Sequence, residues 1–147
     1  MMKIQSLWKI LPTTLIISLG FSSTQAVNAQ MVEISANFQP DPMVMSGRSG
    51  GNQTSNCGNI SSQPSQIIEV KESLPYLRVT LQGSQQSTLL IDGPGGRFCV
   101  MPDNYSGKKP EISGFWQAGR YRFYIGELSS GQSDYTLFIS QQKSPVK

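Results

Sequence analysis

The 147-residue chain contains no histidine, and that absence removes most of the ways a small protein performs covalent chemistry. Ser-His-Asp and Cys-His arrangements need an imidazole to take the nucleophile's proton, and the usual zinc sites need imidazole or several thiolates. Gly47-Arg48-Ser49-Gly50-Gly51 sets a serine among glycines, as around a protease nucleophile. Without histidine to activate it, the segment reads as a turn. A Ser–Lys dyad would need one of Lys71, Lys108 or Lys109 held desolvated, and nothing in their neighbourhoods is apolar enough to do that. Glycoside hydrolysis needs two facing carboxylates, and the nine acidic residues are scattered. Asp92, Asp103, Asn104 and Asp134 are hard oxygen ligands of the kind calcium prefers. They fall at strand ends and loops without a recognisable binding loop, so turn chemistry and solvation explain them. The sequence implies no cofactor, no metal site and no enzyme.

The residues better suited to function are aromatic and basic. In Arg120 to Gly126, Tyr121, Phe123 and Ile125 share one strand face, which leaves Arg120, Arg122 and Tyr124 on the other. In Asp134 to Ser140, Tyr135, Leu137 and Ile139 share a face and Phe138 points away. Read as a closing antiparallel hairpin, the two strands would align Arg120, Arg122, Tyr124 and Phe138 in one outward strip, with Leu90 nearby. Exposed rings beside arginine suit stacking on sugars or gripping a protein surface. Burial of that strip under residues 30–66 is the competing arrangement. Trp116 and Tyr105 are further candidate contacts, Trp116 reading more readily as a packing residue.

The first 29 residues give the destination. Lys3 and Lys9 precede an apolar run, Ile10 to Phe21, too short to span a bilayer. Small residues follow, and Val27 and Ala29 fit a signal peptidase, so cleavage is expected after Ala29 and the protein is expected to be exported, to periplasm or medium. Removing Lys3 and Lys9 leaves ten basic against nine acidic residues, a net charge of +1. With Lys108-Lys109 the lone basic pair, a nucleic-acid partner is set aside. No later apolar run approaches a membrane span. No cysteine follows the cleavage site, so no lipid anchor is expected. Cys57 and Cys99 both lie in the mature chain, and two cysteines in an exported domain usually pair. Three glycosylation tripeptides begin at Asn52, Asn59 and Asn104; in so Asn- and Ser-rich a chain they arise by chance.

Short strands separated by turn signals must position these groups. Val32, Ile34, Ala36 and Phe38 alternate in residues 30–39, and Pro40-Asp41-Pro42 stops the run. Residues 43–66, rich in Gly, Ser, Asn and Gln, read as one long irregular segment that Cys57 ties down. Strands follow at Ile67–Lys71, Tyr76–Gln82, Ser87–Asp92, Arg97–Met101, Glu111–Trp116, Arg120–Gly126 and Asp134–Ser140. Gly93-Pro94-Gly95-Gly96 makes a tight turn between two of them. The expected organisation is a signal peptide at 1–29, an N-terminal strand and loop at 30–66, a sandwich core at 67–140 and a tail at 141–147. The fold class is all-β: an antiparallel β-sandwich or jelly roll of seven to eight short strands with one disulfide.

Several blocks carry a likeness to known proteins: Leu77-Arg78-Val79-Thr80-Leu81 followed by Gln82-Gly83, Thr88-Leu89-Leu90-Ile91, Gly93-Pro94-Gly95-Gly96, Cys99, Ala118-Gly119-Arg120-Tyr121-Arg122-Phe123-Tyr124-Ile125-Gly126, and Tyr135-Thr136-Leu137-Phe138-Ile139-Ser140. From about Ile67 to Ser140 the chain resembles the pre-peptidase C-terminal domain group and related exported bacterial β-sandwiches, including small stand-alone cyanobacterial proteins. The resemblance implies a β-sandwich more strongly than any activity. Together these readings point to a non-catalytic exported module that binds a protein or glycan at the cell envelope. The alternatives are a structural or stress-protective envelope protein without a specific ligand, and a hydrolase with an unrecognised site.

Overall fold

A computed structural model describes residues 29–144. The expected signal segment at 1–28 and the end of the tail lie outside the described residues. The described chain folds as eleven strands without a helix. They are β1 (Gln30–Ile34), β2 (Met43–Arg48), β3 (Gln53–Ser55), β4 (Gly58–Ile60), β5 (Gln66–Val70), β6 (Leu74–Gln82), β7 (Ser87–Gly93), β8 (Gly96–Val100), β9 (Glu111–Trp116), β10 (Gly119–Glu127) and β11 (Asp134–Ser140). A seven-stranded sheet is built around β10, which pairs with β5, β7 and β4; β1 extends it beyond β5, β3 beyond β4, and β8 beyond β7. The second sheet has the order β2-β11-β6-β9. Every pairing is antiparallel except β1 with β5.

The two-residue period builds the core. Leu77, Val79 and Leu81 of β6 and Leu137 and Ile139 of β11 point in from the smaller sheet; Leu89, Ile91, Phe123, Ile125, Ile68 and Val70 meet them from the larger one, all at most 1 % exposed. Burying each such side chain contributes roughly 1.5–3 kcal/mol. Trp116 closes one end of this core, its ring 4.8 Å from Tyr121 and its indole N–H donating to the Leu77 carbonyl at 3.2 Å.

The structure departs from the sequence reading in two places. Residues 43–66 are not one irregular loop: β2 adds to the edge of the smaller sheet, and β3 and β4 form a tiny hairpin. These strands account for the count above seven or eight. Gln53-Thr54-Ser55 and Gly58-Asn59-Ile60 carry no apolar period, because the hairpin is held by backbone pairing, the disulfide and the packing of Cys57 and Ile60 alone rather than by an alternating apolar face. Cys57 and Cys99 are bonded, with Cα atoms 5.6 Å apart. The second departure concerns β10 and β11. They do not pair with each other; β10 belongs to the larger sheet and β11 to the smaller. The segment between them crosses from one layer to the other.

Candidate functional site

That crossover splits the expected aromatic strip. Tyr124 lies on the outer face of the larger sheet and Phe138 on the outer face of the smaller, on opposite sides of the molecule. Opposite Tyr124 in β7 is Leu90, an outward residue nonetheless only 1 % exposed because Cys57 and Ile60 of the β3–β4 hairpin cover it. Tyr124 packs half-buried against this small second core. Residues 30–66 therefore cover part of the strip. Its basic members are spread along β10. Arg120 bonds Glu69 at 3.0 Å, and Arg122 is exposed beside Asp92, which itself pairs with Arg97 at 3.2 Å. Phe138 stands between Val44 and Thr80, on a face with Arg78 and Gln82.

The other candidates also find places. Asp134 pairs with Arg48 at 3.1 Å. Asp103 accepts bonds from the Tyr105 and Ser106 amides and from the Ser106 hydroxyl, and the Ser106 hydroxyl leads in holding its carboxyl below the ordinary range. Asp92, Asp103 and Asp134 thus sit in three separate local arrangements, and among the described residues no cluster of three metal-ligating side chains occurs. Lys71 bonds Glu33 at 3.4 Å, while Lys108 and Lys109 are exposed. Ser49 is sealed from solvent, and its hydroxyl donates to Glu127 at 2.5 Å. Glu127 is only 2 % exposed and also accepts from Ser84 at 2.8 Å and Ser87 at 2.7 Å. This knot fastens the β2–β3 and β6–β7 turns to the end of β10; it is a clasp with no route for substrate.

An apolar surface suited to a ligand lies away from the expected strip, at the open mouth of the sandwich between β8 and β9. β8 ends the larger sheet and β9 ends the smaller. Between them lies a cleft of about 320 Å³. Ile91, Tyr121 and Trp116 form its floor; Phe98 and Phe115 stand at its sides, 46 % and 68 % exposed. Phe98 is opposite Ile91 in the β7–β8 ladder and so faces inward, yet at the edge no full layer covers it. Seven large apolar side chains are exposed in the described chain: Met31, Val44, Phe98, Met101, Tyr105, Phe115 and Leu128. Four of them fall in the single stretch 98–115 that forms the two walls and joins them. Burial pushes the phenol of Tyr121 above its ordinary value, although its hydroxyl donates to the Gln117 carbonyl at 2.8 Å. The sequence signal was present in Arg97-Phe98-Cys99-Val100 and Ile112-Ser113-Gly114-Phe115-Trp116, where aromatic residues fall in short strands. That both strands are edges is a tertiary fact.

No family model matches the chain. It is 32 % identical over 137 residues to an uncharacterised protein of Synechococcus elongatus, an alignment spanning 90 % of this chain and 95 % of that one. Among solved structures it resembles the pre-peptidase C-terminal domain of a collagenase from Bacillus anthracis, with a TM-score of 0.50, 11 % identity, and coverage of 77 % of this chain and 97 % of that domain. At that identity the likeness is one of fold, and it agrees with the two-sheet architecture.

Proposed function

The chain belongs to one family with that Synechococcus elongatus protein, and from that premise we propose that it is an exported, non-catalytic β-sandwich module that binds a protein of the cell envelope through the β8–β9 cleft. The observation that carries the reading is a preformed apolar cleft flanked by two exposed rings, Phe98 and Phe115. Patches of this kind on an otherwise polar surface mark interaction sites, and aromatic anchors beside a pocket are the usual centres of binding energy. A non-catalytic role is supported by the lack of histidine and by the sealed Ser49. Export is supported by the basic and apolar start of the sequence and by the disulfide.

One observation favours glycan as a second reading. Tyr124 stands with Arg97, Asn56, Gln53 and Thr54 along a polar groove of about 330 Å³ beside the hairpin. A ring among amide and hydroxyl groups suits a sugar. Arg120, Arg122 and Phe138 lie outside that groove.

Chemical cross-linking of the full chain in envelope preparations, compared with a Phe98→Ser/Phe115→Ser double variant, tests the first reading. A discrete protein adduct is expected with the wild-type chain and not with the double variant, which should remain folded because Phe98 is 46 % and Phe115 68 % exposed, as thermal unfolding checks. An adduct unaffected by the double variant, or no adduct at all, overturns it. The absence of any adduct favours a structural protein without a specific ligand.

A further inference from the structure

We infer that the partner binds the cleft by strand addition: an extended segment with acidic residues at one end pairs with the free edge of β9 and drops an apolar side chain into the cleft. The inference rests on the cleft being the binding site.

The backbone register supports this mode. The Leu81 amide donates to the Pro110 carbonyl at 2.9 Å, so Leu81 and Pro110 form a bonded pair of the antiparallel ladder. Bonded and non-bonded pairs alternate. Val79–Ile112 and Leu77–Gly114 are therefore bonded pairs, and Thr80–Glu111 and Arg78–Ser113 are not. The N–H and C=O groups of Glu111 and Ser113 consequently point away from β6, toward the side where, among the described residues, the smaller sheet has no further strand. Two edges border the apolar cleft, β8 and β9, and of the two it is β9 that begins directly after an exposed basic pair, Lys108-Lys109.

The side chains fit the same mode. In an added strand, the residues bonded to Glu111 and Ser113 would point outward, and those opposite Ile112 and Gly114 would point into the sandwich. Gly114 has φ of 140°, where side chains are strained, and a Cβ placed on it would meet no atom within 4 Å. Gly114 lines the cleft with Phe98 and Trp116, so the inward position opposite it would face a space of about 320 Å³, enough for a large apolar residue.

Charge selects the sequence of the segment. Lys108 and Lys109 lie immediately before β9, exposed and outside every ion pair formed by the described residues. Two carboxylates lie near them: Asp103, which Lys108 faces across a backbone bridge, accepts from Tyr105 and Ser106 of its own loop, and Glu111 accepts from the Thr80 hydroxyl, so neither closes an ion pair with the two lysines. An acidic end on the added strand would meet these two cations.

A displayed library of random short peptides panned on the full chain tests the proposal, followed by amide hydrogen exchange with an enriched peptide bound. Enrichment of alternating apolar residues with Asp or Glu at one end is expected, with new protection at the Glu111 and Ser113 amides. Lys108→Glu/Lys109→Glu should weaken that peptide roughly tenfold. Phe98→Ala should weaken it by more, roughly thirtyfold. Binding that leaves those amides unprotected, enrichment without acidic residues, or no enrichment at all overturns strand addition. If the envelope adduct nevertheless depends on Phe98 and Phe115, the cleft reading stands and the partner presents a folded surface. If that adduct is also missing, the cleft reading falls as well.

Discussion

Removing the Glu127 carboxylate should destabilise the fold far more than neutralising it in place. The side chain is 2 % exposed, accepts three hydroxyl bonds, from Ser49, Ser84 and Ser87, and enters no ion pair among the described residues. Hydrogen bonds to a charged group contribute roughly 1.5–3 kcal/mol each, while burying the unpaired carboxylate costs several kcal/mol in return. Deleting the group also leaves hydroxyls to be satisfied, and two routes exist: Ser49 can still donate to the Ser133 carbonyl at 3.0 Å, and Ser84 and Ser87 lie 3.2 Å apart. The balance for Glu127→Ala is a loss of about 3 kcal/mol, part of it the cavity left behind. Glu127→Gln keeps one oxygen to accept from Ser49 and Ser87 and turns an amide toward Ser84, whose hydroxyl can rotate to accept. Its cost should be about 1 kcal/mol or less. Urea unfolding followed by the fluorescence of buried Trp116 separates the two variants. A 3 kcal/mol loss moves the midpoint by about 1–3 M at unchanged slope. If Gln costs as much as Ala, the negative charge itself holds the knot and the bond accounting is wrong. If Ala costs less than about 1 kcal/mol, the cluster does not clasp the three segments.

Two further predictions follow from the same packing. Cys57→Ser/Cys99→Ser opens a loop whose ends are 42 residues apart, which should cost about 4 kcal/mol in denaturant unfolding. It should also speed amide exchange around Leu90, which the tethered hairpin covers; a loss below about 1 kcal/mol with unchanged exchange would show that the hairpin stays down without the bond. Burial raises the phenols of both Tyr121 and Tyr135 above 10.0, in Tyr135 against bonds from Gln66 and Ser65 that act the other way. Such a group releases its proton more readily in the unfolded chain. Its contribution is therefore intact below pH 10 and is lost as pH climbs from there through the raised folded-state value. Tyr135→Phe should flatten the alkaline fall in unfolding temperature; an unchanged fall would remove Tyr135 from that role.

Local pattern and elementary chemistry were enough to read the strands, one turn and the disulfide. Alternation in Leu77-Arg78-Val79-Thr80-Leu81 and Tyr135-Thr136-Leu137-Phe138-Ile139 marked strands with one buried face, and the buried residues are those the period selects. Gly93-Pro94-Gly95-Gly96 marked the β7–β8 hairpin, in which Gly93 opposes Gly96. Gly93 has a second reason to lack a side chain: a Cβ there would lie 2.2 Å from the Tyr121 ring, a contact the sequence does not announce. Two cysteines in a chain with a signal-like start implied their bond. Which strands are neighbours is settled by long-range pairing alone. Period two assigns a side chain to a face but does not say which sheet owns the strand. Tyr124 and Phe138 were therefore correctly placed outward and wrongly placed together, since β10 and β11 lie in different layers. The β3–β4 hairpin has no apolar period to betray it, because only Cys57 and Ile60 pack inward and the rest of its hold comes from backbone bonds and a disulfide. The β8–β9 cleft is set by where each sheet stops, a property of long-range pairing carried by no single segment.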